Sequence, residues 1–117
     1  MNTKTLRAET KLEIRFAPSS GMKYRHYSPR AKIILVTGKD AGEKVKRLSE
    51  QYRRAGKKVF AINESSKERL AKTLFSKFRE ADINNMDMII VKGVEETGTG
   101  LAIMSRLKKS ATKIVKT

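Results

Sequence analysis

The sequence predicts one α/β domain, a mostly parallel four-stranded sheet in three layers ordered β-α-β-α-β-α-β over residues 32–117. A basic N-terminal arm with an extra strand signal occupies residues 1–31. Three observations predict it. Short apolar runs recur at 33–36, 59–62 and 86–91, as strands buried on both faces require. Between them lie stretches whose apolar residues are three and four apart, which is one face of a helix. Strands alternating with helices of this length are joined by crossovers, and crossovers make parallel sheets.

Each element has its own signal. Residues 1–9 read as a frayed end. Leu12, Ile14 and Phe16 alternate with Lys11, Glu13 and Arg15, a half-buried strand pattern. Residues 17–30 hold both prolines, Pro18 and Pro29, and Ser19-Ser20-Gly21, so they read as a loop. Regular structure starts at Lys32. Ile33-Ile34-Leu35-Val36 stops at Thr37-Gly38, and Asp40 with Glu43 stands in capping-box register. Ala41, Val45, Leu48, Tyr52 and Ala55 form the stripe of the first helix, which Gly56 closes. Val59-Phe60-Ala61-Ile62 is the second strand. Ser65 and Glu68 repeat the capping-box pattern before a helix striped by Leu70, Leu74, Phe78 and Ala81, with Phe75 alongside. Residues 86–91 are the third strand. Leu101, Met104, Leu107 and Ala111 predict a third helix that presses Leu101 onto the sheet, and Lys113-Ile114-Val115-Lys116 a last short strand.

Composition narrows the function classes. The 117 residues carry 27 Lys and Arg against 12 Asp and Glu, a formal net charge of +15. The excess is uneven: residues 59–97 are almost balanced, and residues 98–117 hold five basic groups and no acid. Charge of one sign repels itself, and a polyanionic partner relieves that repulsion. With no Cys and one His, His26, there is no disulfide scaffold, thiolate zinc site, cysteine nucleophile or multi-histidine metal site. No apolar run reaches about 18 residues, so no membrane-spanning helix and no membrane partner is predicted. The first eight residues lack the apolar core of a secretory signal, so the expected location is the cytoplasm, a nucleoid or a nucleus, with a viral source compatible.

Several segments can contact a ligand. In an open parallel sheet, ligands bind beyond the carboxyl ends of the strands. Thr37-Gly38-Lys39-Asp40 follows a strand and opens a helix, yet lacks the spacing of a phosphate loop. Lys39 therefore reads as a loop lysine or a phosphate contact on nucleic acid. Thr97-Gly98-Thr99-Gly100 offers two glycines and two hydroxyls at a helix start, which suits an anion as well as a plain cap and turn. Lys44, Arg47 and Arg54 share a side of the first helix, extended by Arg53, Lys57 and Lys58. Arg106, Lys108, Lys109 and Lys113 do the same for the third. Tyr24, Arg25 and Tyr27 form a basic and aromatic cluster in which rings can stack on bases while cations follow phosphates. Glu95-Glu96 and Glu64 read as solvated acids, so neither metal nor cofactor is expected.

From Ile33 to Ile103 the chain resembles the second RecA-like domain of superfamily-two helicases. The resemblance is carried by Val36-Thr37, Arg54-Ala55-Gly56, Lys58 to Ile62, Glu68-Arg69 with Leu74 and Phe78-Arg79, and Ile89-Ile90-Val91 followed by Thr97-Gly98-Thr99-Gly100-Leu101. It implies a lone half without the ATP cycle, whose Thr37-Gly38 and Thr97 to Gly100 touch a nucleic-acid backbone. The runner-up is the Alba group of small basic nucleic-acid-binding proteins, which requires residues 101–109 to be a strand. The expected function is non-catalytic binding of DNA or RNA through phosphates, with no enzymatic activity. The alternatives are a protein-interaction module docking on an acidic protein, or a nucleotide-binding subunit lacking its partner domain.

Overall fold

The computed structural model describes residues 28–117. Strands β1 (Lys32–Thr37), β2 (Val59–Ile62), β3 (Met88–Lys92) and β4 (Lys113–Lys116) alternate with helices α1 (Ala41–Arg54), α2 (Lys67–Ile83) and α3 (Thr99–Ser110). The sheet is wholly parallel, in the spatial order β2-β3-β1-β4. The predicted fold class and element order therefore stand.

Burial follows strand position. Ile33, Ile34, Leu35 and Val36 of β1 are all buried, as are Met88, Ile89, Ile90 and Val91 of β3. These two central strands pair directly, Ile33 with Ile89 and Leu35 with Val91. The edge strands β2 and β4 are more open. Two cores result, one on each face. Ile33, Leu35, Ile89 and Val91 pack with Leu70, Leu74 and Phe78 of α2 and Met104 and Leu107 of α3. Ile34, Val36, Ile90 and Val59 pack with Ala41 and Val45 of α1. The path from β1 to β2 runs one way across the sheet beneath α1. The paths from β2 to β3 and from β3 to β4 run the other way beneath α2 and α3. Opposite directions on opposite faces are what crossovers of a single hand demand.

The helix ends refine the sequence reading. Gly56 takes φ +90° after α1, as a glycine at that position is expected to. Asp40 stands at the N-cap of α1 but makes no side-chain cap bond. Its N–H donates instead to Thr117 Oγ1 (3.1 Å), tying the turn after β1 to the end of β4. For α2 the cap is Ser66 rather than Ser65: Arg69 N–H donates to Ser66 Oγ (3.2 Å). Asn85, at φ +53°, ends α2, and Met86 N–H donates back to the Ala81 carbonyl (2.9 Å). At the other end of the strands, Arg30 N–H and Nη2 donate to Asp82 Oδ1 (2.9 Å) and to the Asp82 carbonyl (2.8 Å).

One burial expectation fails. Leu101 is 56% exposed, although Met104 and Leu107 are buried as the stripe requires. The helix begins at Thr99, and Gly100 takes the inward position, where a Cβ would run into the Glu95 carbonyl. The buried stripe is thus 100, 104 and 107, which turns Leu101 outward. The strand over 101–109 that an Alba-type fold requires is absent. The alternating segment 11–16 and the cluster Tyr24, Arg25 and Tyr27 lie outside the described residues.

Two stability predictions follow from this packing. Leu107→Ala should lower the free energy of unfolding by about 2–5 kcal/mol, whereas Leu101→Ala should change it by under about 0.5 kcal/mol. Ser49 is 2% exposed on α1, and its hydroxyl has no hydrogen-bond partner among the described residues. Ser49→Ala should therefore raise stability by about 1 kcal/mol, because it removes an unsatisfied buried group and improves helix propensity. Urea denaturation of the three variants checks both.

Candidate functional site

The topology singles out one place. β1 and β3 are neighbours, yet the chain leaves β1 for α1 on one face and β3 for α3 on the other. Where adjacent strands part in this way, a crevice opens beyond their carboxyl ends. Here it is a cleft of about 480 Å³, lined by Thr37, Gly38, Ser65, Met104 and residues 92–96.

Close packing shapes its floor. Gly93 N–H donates to the Val36 carbonyl at 2.7 Å, carrying the β1–β3 pairing one step past the strands. A Cβ at Gly93 would lie 3.1 Å from Thr37 Cγ2 and from Met104 Cε, and 3.2 Å from the Val36 carbonyl oxygen. Only glycine leaves that approach unstrained. Val94 N–H donates to Met104 Sδ (3.4 Å), seating α3 on the same corner. Gly38, at φ +106°, lies against Thr117, whose N–H and Oγ1 both donate to the Thr37 carbonyl.

The polar groups around the cleft are mostly paired. Lys92 Nζ donates to Ser65 Oγ at 3.0 Å. Lys67 lies 3.5 Å from Glu95 and donates to Thr97 Oγ1 (2.6 Å). Lys108 pairs with Glu96 at 2.9 Å. The Thr97 to Gly100 loop sits beside the cleft and does not line it. Thr97 is held by Lys67, and Gly98 opens α3 without a side-chain cap bond. Among the described residues, no group of three or more His, Cys, Asp or Glu is placed to hold a metal. No helix among them is long and apolar enough to cross a membrane.

The basic residues fall on two separate surfaces, because α1 and α3 cover opposite faces of the sheet. Lys44, Arg47 and Arg54 line one shallow groove on α1 with Glu50 and Gln51. Arg54 is 4.0 Å from Glu50. Arg53 is exposed, yet its Nη2 is tied down, donating to the Val59 carbonyl (3.1 Å). Lys39 and Lys57 are exposed at opposite ends of α1. On α3, Arg106 lies over the Phe75 ring, 5.0 Å from its centroid, and Lys108 is held by Glu96, which leaves Lys109 facing solvent. The charge is therefore dispersed, and part of it is consumed in packing. The sequence reading passed over Lys92, which looks like a strand end, and read Ser65 as a helix cap in the loop beyond the second strand. Their proximity is visible only once β3 is placed beside the β2–α2 loop.

Comparison with known proteins gives the family. The model of the threonylcarbamoyl-AMP synthase C-terminal domain matches residues 3–112. The threonylcarbamoyl-AMP synthase of Pyrococcus abyssi is 38% identical over 109 residues, covering 81% of this chain and 32% of that protein. The crystal structure of the C-terminal Sua5 domain from Pyrococcus horikoshii has a TM-score of 0.64 at 36% identity, covering 77% of this chain and 100% of that one. That of P. abyssi Sua5 complexed with L-threonine has a TM-score of 0.70 at 34% identity, covering 92% of this chain and 36% of that one. The chain spans about a third (32%) of the length of the curated relatives it matches.

These matches correct four expectations. The likeness to a RecA-like helicase domain is set aside, and so is the Alba group. Of the residues that carried the helicase likeness, Val36, Ile62, Leu74, Phe78 and Ile89 to Val91 are core positions that any α/β sheet needs, while Arg54, Glu68, Arg69 and Thr97 are exposed. The expectation of a non-catalytic DNA- or RNA-binding protein gives way to membership of an enzyme family, and the expectation that no enzyme is involved falls with it, because the relatives are enzymes. The chain belongs to the family of threonylcarbamoyl-AMP synthase C-terminal domains.

Proposed function

We propose that this chain serves as the C-terminal module of a threonylcarbamoyl-AMP synthase and is catalytically silent on its own. It is then a nucleotide-handling subunit that depends on a partner domain. The observation that carries this reading is the match over residues 3–112 to a domain that makes up only a third of the relatives.

Chemistry makes such a division of labour reasonable. A product named threonylcarbamoyl-AMP is a mixed anhydride between a carbamate carboxylate and AMP. The carboxylate oxygen attacks the α-phosphorus of ATP, the bond to the bridging oxygen breaks, and pyrophosphate leaves. The nucleophile belongs to the substrate, so the protein needs no serine, cysteine or histidine for the attack. It must align anions and offset their charge. A strongly basic module without a nucleophilic constellation suits that task. Nucleic acid remains in this reading as a partner of the assembled enzyme, and the α1 groove of Lys44, Arg47 and Arg54 is the described surface whose charge suits it.

The test uses pyrophosphate release from ATP that depends on threonine and bicarbonate. The isolated chain should show none. Deleting the matching third of the P. abyssi enzyme should lower the rate by about tenfold or more, since lost positioning of this kind costs up to about 10²-fold. A chimera carrying this chain in its place should recover most of that loss. Turnover by the isolated chain, or a chimera no better than the deletion, overturns the proposal.

A further inference from the structure

We propose that the cleft between the carboxyl ends of β1 and β3 binds a compact phosphate-type oxyanion, free or at the end of a nucleotide, with Lys92 as its charge partner. The inference stands on the cleft's own geometry and does not depend on the synthase assignment.

The argument is one of local charge. Three charged side chains line the cleft: Lys92, Glu95 and Glu96. Both glutamates are neutralised by lysines outside the lining, Glu95 by Lys67 and Glu96 by Lys108. Lys92 makes no ion pair among the described residues, and its ammonium donates only to the neutral Ser65 hydroxyl. It is half-buried, so water screens it less than it screens the exposed lysines. The cleft therefore holds one uncompensated, partly desolvated cation. An anion that accepts from it gains a charge-assisted hydrogen bond, about twice as strong as a neutral one.

Position and shape agree with charge. The cleft lies at the topological switch point, where parallel sheets place their ligands. Thr37 and Ser65 line its wall, and Gly93, which has no side chain, lets the floor close tightly without filling the cleft. At about 480 Å³ it has room for a phosphate, a pyrophosphate or a mononucleotide. A second cavity of about 370 Å³ lies at the opposite ends of the strands. It too is lined by lysines, Lys32, Lys57 and Lys113, but together with the carboxylate of Asp87, Thr112 and the larger side chains Ile34, Met88 and Tyr52, and it serves as the internal control.

Calorimetric titration of the whole chain with inorganic phosphate, pyrophosphate and AMP, at fixed ionic strength, tests this. Saturable binding with a Kd of about 1 mM or tighter is expected for at least one of them. Pyrophosphate bound with AMP refused assigns a free anion; AMP bound at least as tightly as phosphate assigns a nucleotide. Lys92→Gln keeps a donor for Ser65 but removes the charge. It should weaken binding about ten- to a hundredfold with the melting temperature unchanged. Lys92→Arg, which keeps the charge, should hold affinity within about threefold, whereas a merely structural role would weaken both Lys92 variants alike. The proposal is overturned if none of the three anions binds saturably. It is equally overturned if Lys92→Gln binds as the wild type does, or if Lys57→Gln with Lys113→Gln abolishes binding instead.

Discussion

The structure depends on the contact between β1 and β3. Both strands are buried on both faces, so each must satisfy its whole backbone ladder inside the sheet, and each finds a partner in the other. Because the pair is central, the chain has to leave it in opposite directions to cover both faces with helices. That divergence opens the cleft. Gly93 then closes its floor, since a side chain there would push β3 away from Thr37 and from the Val36 carbonyl. The core and the candidate site are thus products of one constraint.

The same constraint sets the charge pattern of the site. α3 must start beyond β3, and it does so with Gly100 pressed on the Glu95 carbonyl, which brings Glu96 to Lys108 and Glu95 to Lys67. Surface pairs of this kind add little stability, about 0–1 kcal/mol each. Their consequence is electrostatic: they cancel the acids at the cleft and leave Lys92 in excess.

Much of the fold was legible because apolar period is a strong signal. The double-faced burial of residues 33–36 and 88–91 shows as continuous apolar runs, and the α2 stripe shows at Leu70, Leu74 and Phe78. What failed was finer. Leu101 and Gly100 are neighbours, and the choice of which faces inward depends on a carbonyl five residues away from the glycine. Ser65 and Ser66 both resemble caps, and only the bond from Arg69 separates them. The family was misread because the apolar residues common to helicase domains and this chain are packing positions, which report the fold and not the chemistry. The role of Lys92 was overlooked for another reason. Net charge of +15 draws attention to the helices, but function depends on which charges remain uncompensated, and pairing between residues far apart in sequence is invisible along the chain.

The surface proposed for a small oxyanion is the β1–β3 cleft, and the basic side of α1 is the one whose charge suits nucleic acid. An amide chemical-shift map of the chain titrated with pyrophosphate tests that most directly. Shifts confined to Thr37 and Gly38, Ser65 and residues 92–96 are the predicted result. Shifts concentrated on Lys44, Arg47, Gln51 and Arg54, with the cleft amides unmoved, would contradict it.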